Sequence, residues 1–267
     1  MRHIVAGLMV VVVWLPGWAV AQEMAIPPSQ DTAEKALADS PRHQEYVKIV
    51  APGMDVPLNV FAVYPEREDK APVILVIHEI FGMTDWVNSV ADHLASQGFI
   101  ALAPDLITGM EGNPMGLIRG LSKEQIVERL DAVRDYALTI PAANGKVASI
   151  GFCWGGSSSF LYATAQEHLD AAIVCYGSAP SKEELAKIEA PVLGNYGEMD
   201  ARVNVTIDPA KEEMDRLGKV FEYGIFDNAG HGFLRAQEGR EGSNLAATQQ
   251  AWPRIIEFLR KYTEVGE

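Results

Sequence analysis

Short apolar runs and amphipathic stretches alternate along most of this 267-residue chain. Residues 73–77, Val-Ile-Leu-Val-Ile, are continuously apolar and too short for a helix, which marks a strand buried on both faces. Residues 86–97 follow with Val87, Val90, Ala91 and Leu94 at the spacing of one helical face. The pair recurs. A strand at 99–103 precedes a helix at 123–138, whose apolar stripe is Ile126, Val127, Leu130, Val133 and Ala137. Strands at 146–150, 171–175, 191–196 and 220–226 precede helical stretches at 157–167, 181–187, 208–217 and 245–262. This order predicts an α/β fold: a mostly parallel sheet with helices on both faces. Two further strands, 45–50 and 58–64, flank Pro52-Gly53 and read as a leading antiparallel pair. One connection is long. Residues 104–122 carry four glycines and Pro114, which suits either an active-site wall or a surface insertion.

The first residues break this pattern. Arg2, an apolar run over 4–14, the Pro16-Gly17 break and Ala19-Val20-Ala21 predict a signal peptide over 1–21, cut between Ala21 and Gln22. An uncleaved anchor is the competing reading, because 4–21 approaches spanning length. Export implies a periplasmic or secreted protein with no stable membrane association after cleavage. Residues 22–43 are polar with three prolines and read as a tether containing a turn of helix near 32–38; 44–267 read as one domain. A net charge of −14 argues against nucleic acid or anionic lipid as a partner. A monomer binding a small molecule is the expected state. The only cysteines are Cys153 and Cys175, too few for a disulfide framework. Cys175 ends a buried run and reads as a free structural thiol.

Cys153 is different. The strand ending at 150 runs into Gly151-Phe152-Cys153-Trp154-Gly155-Gly156 and then a helical stretch, the strand–turn–helix pattern of a nucleophile elbow with sulfur at its centre. In parallel sheets ligands bind beyond the carboxyl ends of strands, so the residues there carry the chemistry. Asp200 follows the 191–196 strand and His231 follows the 220–226 strand, giving the order nucleophile, acid, base. A thiol needs a base or a lowered pKa to react. His231 can accept the proton, and Asp200 can orient the imidazole and stabilise its cation. Asp227 and Glu198 are rival acids, Asp227 reading better as a loop cap. Backbone N–H groups of Trp154 and Ile80 are the candidates for an oxyanion hole. His78 reads as a hydrogen-bonded structural residue, His43 and His168 as solvated, and His93 as lacking an evident partner. No cluster has metal-ligand spacing and no loop fits a dinucleotide or phosphate cradle, so neither metal nor cofactor is expected. The competing function is a thiol redox sensor or small-molecule binder on the same scaffold.

His78-Glu79-Ile80-Phe81-Gly82, Ala103-Pro104-Asp105-Leu106, the cysteine elbow, Gly197-Glu198-Met199-Asp200 and His231-Gly232-Phe233-Leu234-Arg235 together resemble the dienelactone hydrolase family, the carboxymethylenebutenolidases, from about residue 45 onward. The resemblance implies an α/β-hydrolase fold with an eight-stranded sheet. It also implies cofactor-free hydrolysis of a cyclic enol ester or other small ester through a thiol acyl-enzyme. It gives Glu79 the task of generating the thiolate when substrate arrives, in place of a standing Cys–His ion pair, and it gives Arg235 a double pairing with Glu79 and a substrate carboxylate. The pattern departs in one place: a second family arginine, shortly after the Pro-Asp turn, is replaced by Ile107-Thr108-Gly109, and the next arginine is Arg119.

Overall fold

A computed structural model describes residues 25–264, so the predicted signal peptide and its cleavage site lie outside the described residues. In chain order the elements are α1 (Ala33–Ala38), β1 (Gln44–Ile49), β2 (Leu58–Val63), β3 (Ala71–Ile77), α2 (Asp85–Ser96), β4 (Ile100–Pro104), α3 (Pro114–Gly120), α4 (Lys123–Thr139) and β5 (Ala143–Phe152). Then come α5 (Trp154–Ala165), β6 (Ala171–Cys175), α6 (Lys182–Leu185), β7 (Val192–Gly197), α7 (Ala201–Asn204), α8 (Ile207–Arg216), β8 (Phe221–Phe226) and α9 (Ser243–Thr263).

The eight strands form one sheet in the order β1-β2-β4-β3-β5-β6-β7-β8. The β1–β2 and β2–β4 pairs are antiparallel, and every other pair is parallel. This is the α/β-hydrolase fold. Strand side chains alternate between two cores. Val73, Leu75 and Ile77 of β3 meet Ile126, Leu130 and Val133 of α4 and Phe160 of α5 on one face. Ile74 and Val76 meet Val87, Val90 and Leu94 of α2 and Trp252, Ile255 and Leu259 of α9 on the other. All seven β3 residues are buried, which is why the strand reads as a continuous apolar run without alternation.

Three segments differ from the sequence expectation. Residues 104–122 are not all loop, since α3 lies inside them. Asn113 starts it by accepting from the N–H groups of Met115 and Gly116, and Pro114 at the first helical position has no N–H to satisfy. The elbow helix begins at Trp154, not 157, because Gly155 and Gly156 belong to its first turn; tertiary packing overrides their poor helix propensity. The stretch read as a tether is docked from Ala25 onward: Ser29 and Ala33 are buried, and Pro28 accepts a hydrogen bond from Trp86 Nε1 at 3.1 Å. Its prolines and polar residues hide this, because the contacts run through backbone carbonyls.

Candidate active site

The site forms where β3, β5, β7 and β8 end. Cys153 sits between β5 and α5 with φ 57° and ψ −113°, a left-handed conformation that a side-chain-bearing residue adopts only under constraint. The constraint is packing from below. A Cβ added at Gly155 would lie 2.3 Å from the Ile77 carbonyl oxygen and 2.4 Å from that of His78, so α5 can start this close to β3 only with glycine there. The turn lifts the Cys153 thiol clear of the sheet while Phe152 stays in the core. A second close approach brings the other residues in. A Cβ at Gly197 would lie 2.5 Å from the Ala229 oxygen, and Met199 N–H donates to that oxygen at 3.0 Å. The ends of β7 and β8 are thereby drawn together, Asp200 on one and His231 on the other.

The result is a continuous polar line. Asp200 Oδ2 accepts from His231 Nδ1 at 2.5 Å, and His231 Nε2 lies 3.0 Å from Cys153 Sγ. Asp200 is buried, and the His231 side chain is one-third exposed. Burial alone would lower the His231 pKa. The hydrogen bond to Asp200 and the interaction with the Cys153 sulfur outweigh it, and the imidazole is pushed up to about 9. Ile80 and Trp154 border the same cavity as Cys153. Neither backbone N–H meets a backbone acceptor among the described residues.

Glu79, Arg235 and Tyr176 form a second group beside this line. Glu79 is 3% exposed, and its Oε2 lies 2.6 Å from Arg235 Nε. That contact is a close, buried ion pair. Burial pushes the Glu79 carboxyl up, with Arg235 and then His231 opposing. Arg235 also lies over the Phe81 ring, 5.2 Å from its centroid, and Nη1 donates to Gln30 Oε1. The Cys153 sulfur faces His231, and Glu79 and Arg235 lie to its side. Tyr176 is fully buried at φ 42° and packs edge-on against His231, with no hydrogen-bond partner for its hydroxyl.

The remaining candidates fall away from the chemistry. His78 is buried and fully engaged: Nδ1 contacts the Glu79 carbonyl at 2.8 Å, and Nε2 meets the Leu106 N–H at 3.3 Å. An N–H donor at Nε2 fixes that nitrogen as acceptor and leaves the proton on Nδ1, and burial lowers the ring's pKa. Its ring stacks on Trp154 at 5.6 Å and so supports the elbow. His93 has the partner that its sequence context concealed, the Ala25 carbonyl at 3.0 Å, and burial lowers its pKa to about 4. The loop cap expected of Asp227 is made by Glu198 instead, whose Oε2 accepts from Asn228 N–H at 2.8 Å, while Asp227 is exposed. Cys175 is a buried free thiol whose carbonyl accepts from the Cys153 N–H at 3.0 Å. No group of three or more His, Cys, Asp or Glu residues among the described ones could hold a metal ion.

A profile of the dienelactone hydrolase family matches residues 58–263. The chain belongs to the dienelactone hydrolase family. Among curated relatives of this hydrolase, a putative carboxymethylenebutenolidase of Salmonella typhimurium is 28% identical over 236 residues, covering 80% of this chain and 86% of the relative. A carboxymethylenebutenolidase of a Pseudomonas species is 29% identical over 212 residues, covering 74% and 87%. The crystal structure of a putative dienelactone hydrolase from Klebsiella pneumoniae shares the fold with a TM-score of 0.73 at 24% identity, covering 83% of this chain and 99% of that one. A dienelactone hydrolase-like promiscuous phosphotriesterase from metagenomic libraries also scores 0.73, at 23% identity, with 83% and 98% covered.

The sequence reading missed one feature of this family member's cavity. Arg119 of α3 and Arg202 of α7 border the space of about 460 Å³ that holds Cys153, Ile80, Trp154 and Tyr176. Neither arginine is in an ion pair among the described residues. Their helices, α3 and α7, were not expected from the sequence, although 104–122 read as a possible active-site wall and Arg202 lies two residues beyond Asp200.

Proposed function

We propose that this chain hydrolyses small esters or lactones through a Cys153–His231–Asp200 triad and a thiol acyl-enzyme. Family membership supports the ester or lactone hydrolase class, and the named relatives add carboxymethylenebutenolide-type substrates as candidates. The observation that carries the mechanism is the unbroken line from Asp200 through His231 to Cys153 Sγ beside two unengaged backbone N–H groups.

In the first step the Cys153 thiolate attacks the carbonyl carbon and a C–S bond forms. The carbonyl oxygen takes the electron pair and is stabilised by the N–H groups of Ile80 and Trp154. Collapse breaks the bond to the leaving oxygen, which receives the His231 Nε2 proton. Acylation removes the thiolate, one of the two partners that hold the imidazole proton. His231 then serves as base for water, Asp200 keeping its tautomer, and breakdown returns the acid product and the thiolate–imidazolium pair. No step calls on a cofactor.

Arg119 and Arg202 supply two unpaired positive charges on one cavity, in a chain whose net charge is −14. They favour an ester bearing a carboxylate or similar anion over a neutral one. Arg235, engaged by Glu79 and Gln30, has less of its fork to offer substrate. The predicted signal peptide supports work in the periplasm or outside the cell, and protein recovered from that compartment should begin at Gln22.

The test compares turnover of a short-chain nitrophenyl ester, its carboxylate-bearing analogue and dienelactone by wild type, Cys153→Ala and His231→Ala. Turnover lost in both variants supports the triad, whereas full activity in either removes it. Rapid iodoacetamide labelling of Cys153 without hydrolysis of any ester would favour a thiol sensor.

A further inference from the structure

Residues 25–30, which the family match at 58–263 leaves out, lie against the turn that follows β8. We infer that residues 25–30 form a strap that fixes the turn carrying His231 and Arg235, and that Gln30 is a positioning residue holding Arg235 against Glu79. The inference rests on the hydrolase reading for its consequence in turnover, but not for its geometry.

The strap is stitched down at successive residues. The Ala25 carbonyl contacts His93 Nε2 at 3.0 Å, the Pro27 carbonyl accepts from buried Gln237 Nε2 at 2.9 Å, and the Pro28 carbonyl accepts from Trp86 Nε1 at 3.1 Å. Gln30 then grips Arg235 twice. Its N–H donates to the Arg235 carbonyl at 2.9 Å, and its side-chain oxygen accepts from Nη1 of the same residue. Two of these partners, Arg235 and Gln237, lie within six residues of His231 on the turn that follows β8. Trp86 in turn packs edge-on against Phe152, the residue before Cys153, with ring centroids 4.8 Å apart.

Glu79 meets the Arg235 guanidinium at Nε, Gln30 meets it at Nη1, and the Phe81 ring lies against its face. Without Gln30 the outer end of the fork loses its only side-chain acceptor among the described residues. Glu79 directly precedes Ile80, which borders the cavity holding Cys153, and Arg235 lies four residues beyond His231, which touches the sulfur. Moving the Arg235 cation outward removes positive charge from a site that holds a carboxylate and must accommodate a thiolate. The thiolate then becomes harder to form, and Cys153 ionises at higher pH.

The experiment reads Cys153 directly. The pH dependence of iodoacetamide alkylation is measured on the purified full chain, with Cys175 silent because it is fully buried. Gln30 is exposed, so Gln30→Ala will fold, and the thermal transition is the check. The alkylation midpoint should rise by about half a pH unit or more in Gln30→Ala. In Gln30→Met, which keeps the length of the side chain but has no oxygen acceptor for Nη1, it should rise by a similar amount. On an ester substrate, Gln30→Ala should lower kcat by about threefold or more with KM little changed, as expected when a reacting group is misplaced and binding is intact. An alkylation profile identical to wild type in Gln30→Ala overturns the strap's role. So does a wild-type profile in Gln30→Met. If no ester is turned over by wild type, the hydrolase reading fails while the alkylation profiles still decide the strap.

Discussion

Two polar lines meet beside Cys153, and they are built on different terms. The Asp200–His231–Cys153 line runs across the ends of three parallel strands, every link is a hydrogen bond, and every member lies inside the family-matched region. The Glu79–Arg235–Gln30 line has an ionic link at its buried end and a hydrogen bond at its exposed end, and it finishes in a strap outside that region. The first line is fixed by the sheet itself, through glycines that let backbones touch. The second is assembled from a loop and the amino-terminal segment. Under the proposed mechanism the first line performs the bond chemistry and the second tunes it, which predicts unequal effects when each is cut.

The largest loss is expected in the first line. Cys153→Ala and His231→Ala should each lower kcat by about four orders of magnitude, since members of such a unit act together, and Cys153→Ser should keep little activity. Burst kinetics on a nitrophenyl ester provides the check. Comparable losses from Glu79→Gln would erase the distinction drawn here. Next in size is Asp200→Asn, expected to cost about a hundredfold or more in kcat by freeing the imidazole to take the wrong tautomer. Because Asp200 is a main support of the raised His231 pKa, the same change should move the imidazole titration, followed by NMR, down from about 9.

Smaller and more selective effects belong to the cavity rim. Arg119→Ala and Arg202→Ala should each raise KM for a carboxylate-bearing ester about tenfold and leave a neutral ester of the same size within about twofold. Equal effects on both esters would remove the anion-binding role. Least in size is a stability effect of His231. Its folded pKa is raised above the unfolded value near 6.5, so its contribution is fully present below that pH and is lost as pH rises through about 9. Thermal melts of wild type and His231→Ala should therefore differ more at pH 6 than at pH 10.

Legibility in the sequence followed the same division. Strands such as 171–175 and the order of Cys153, Asp200 and His231 could be read because periodicity and elbow geometry leave local marks. The Ala25 partner of His93 and the docking of the strap could not, because carbonyl groups accept hydrogen bonds whatever side chain they carry. Arg119 and Arg202 were hidden for another reason. The helices that carry them, seven and four residues long, are shorter than the window in which a helical stripe can be recognised. Glu198 and Asp227 show a third limit: both are acidic and near the loop, and only the closing of β7 on β8 decides which one reaches Asn228.

The thiol ester on Cys153 is the intermediate that most directly distinguishes the proposed mechanism. Wild-type protein mixed with a slowly turned-over ester and quenched in acid should show, by peptide mass spectrometry, the acyl mass added at Cys153, absent in Cys153→Ala and accumulating in Asp200→Asn. Turnover with no acyl adduct on Cys153, or with the adduct on another residue, would contradict it.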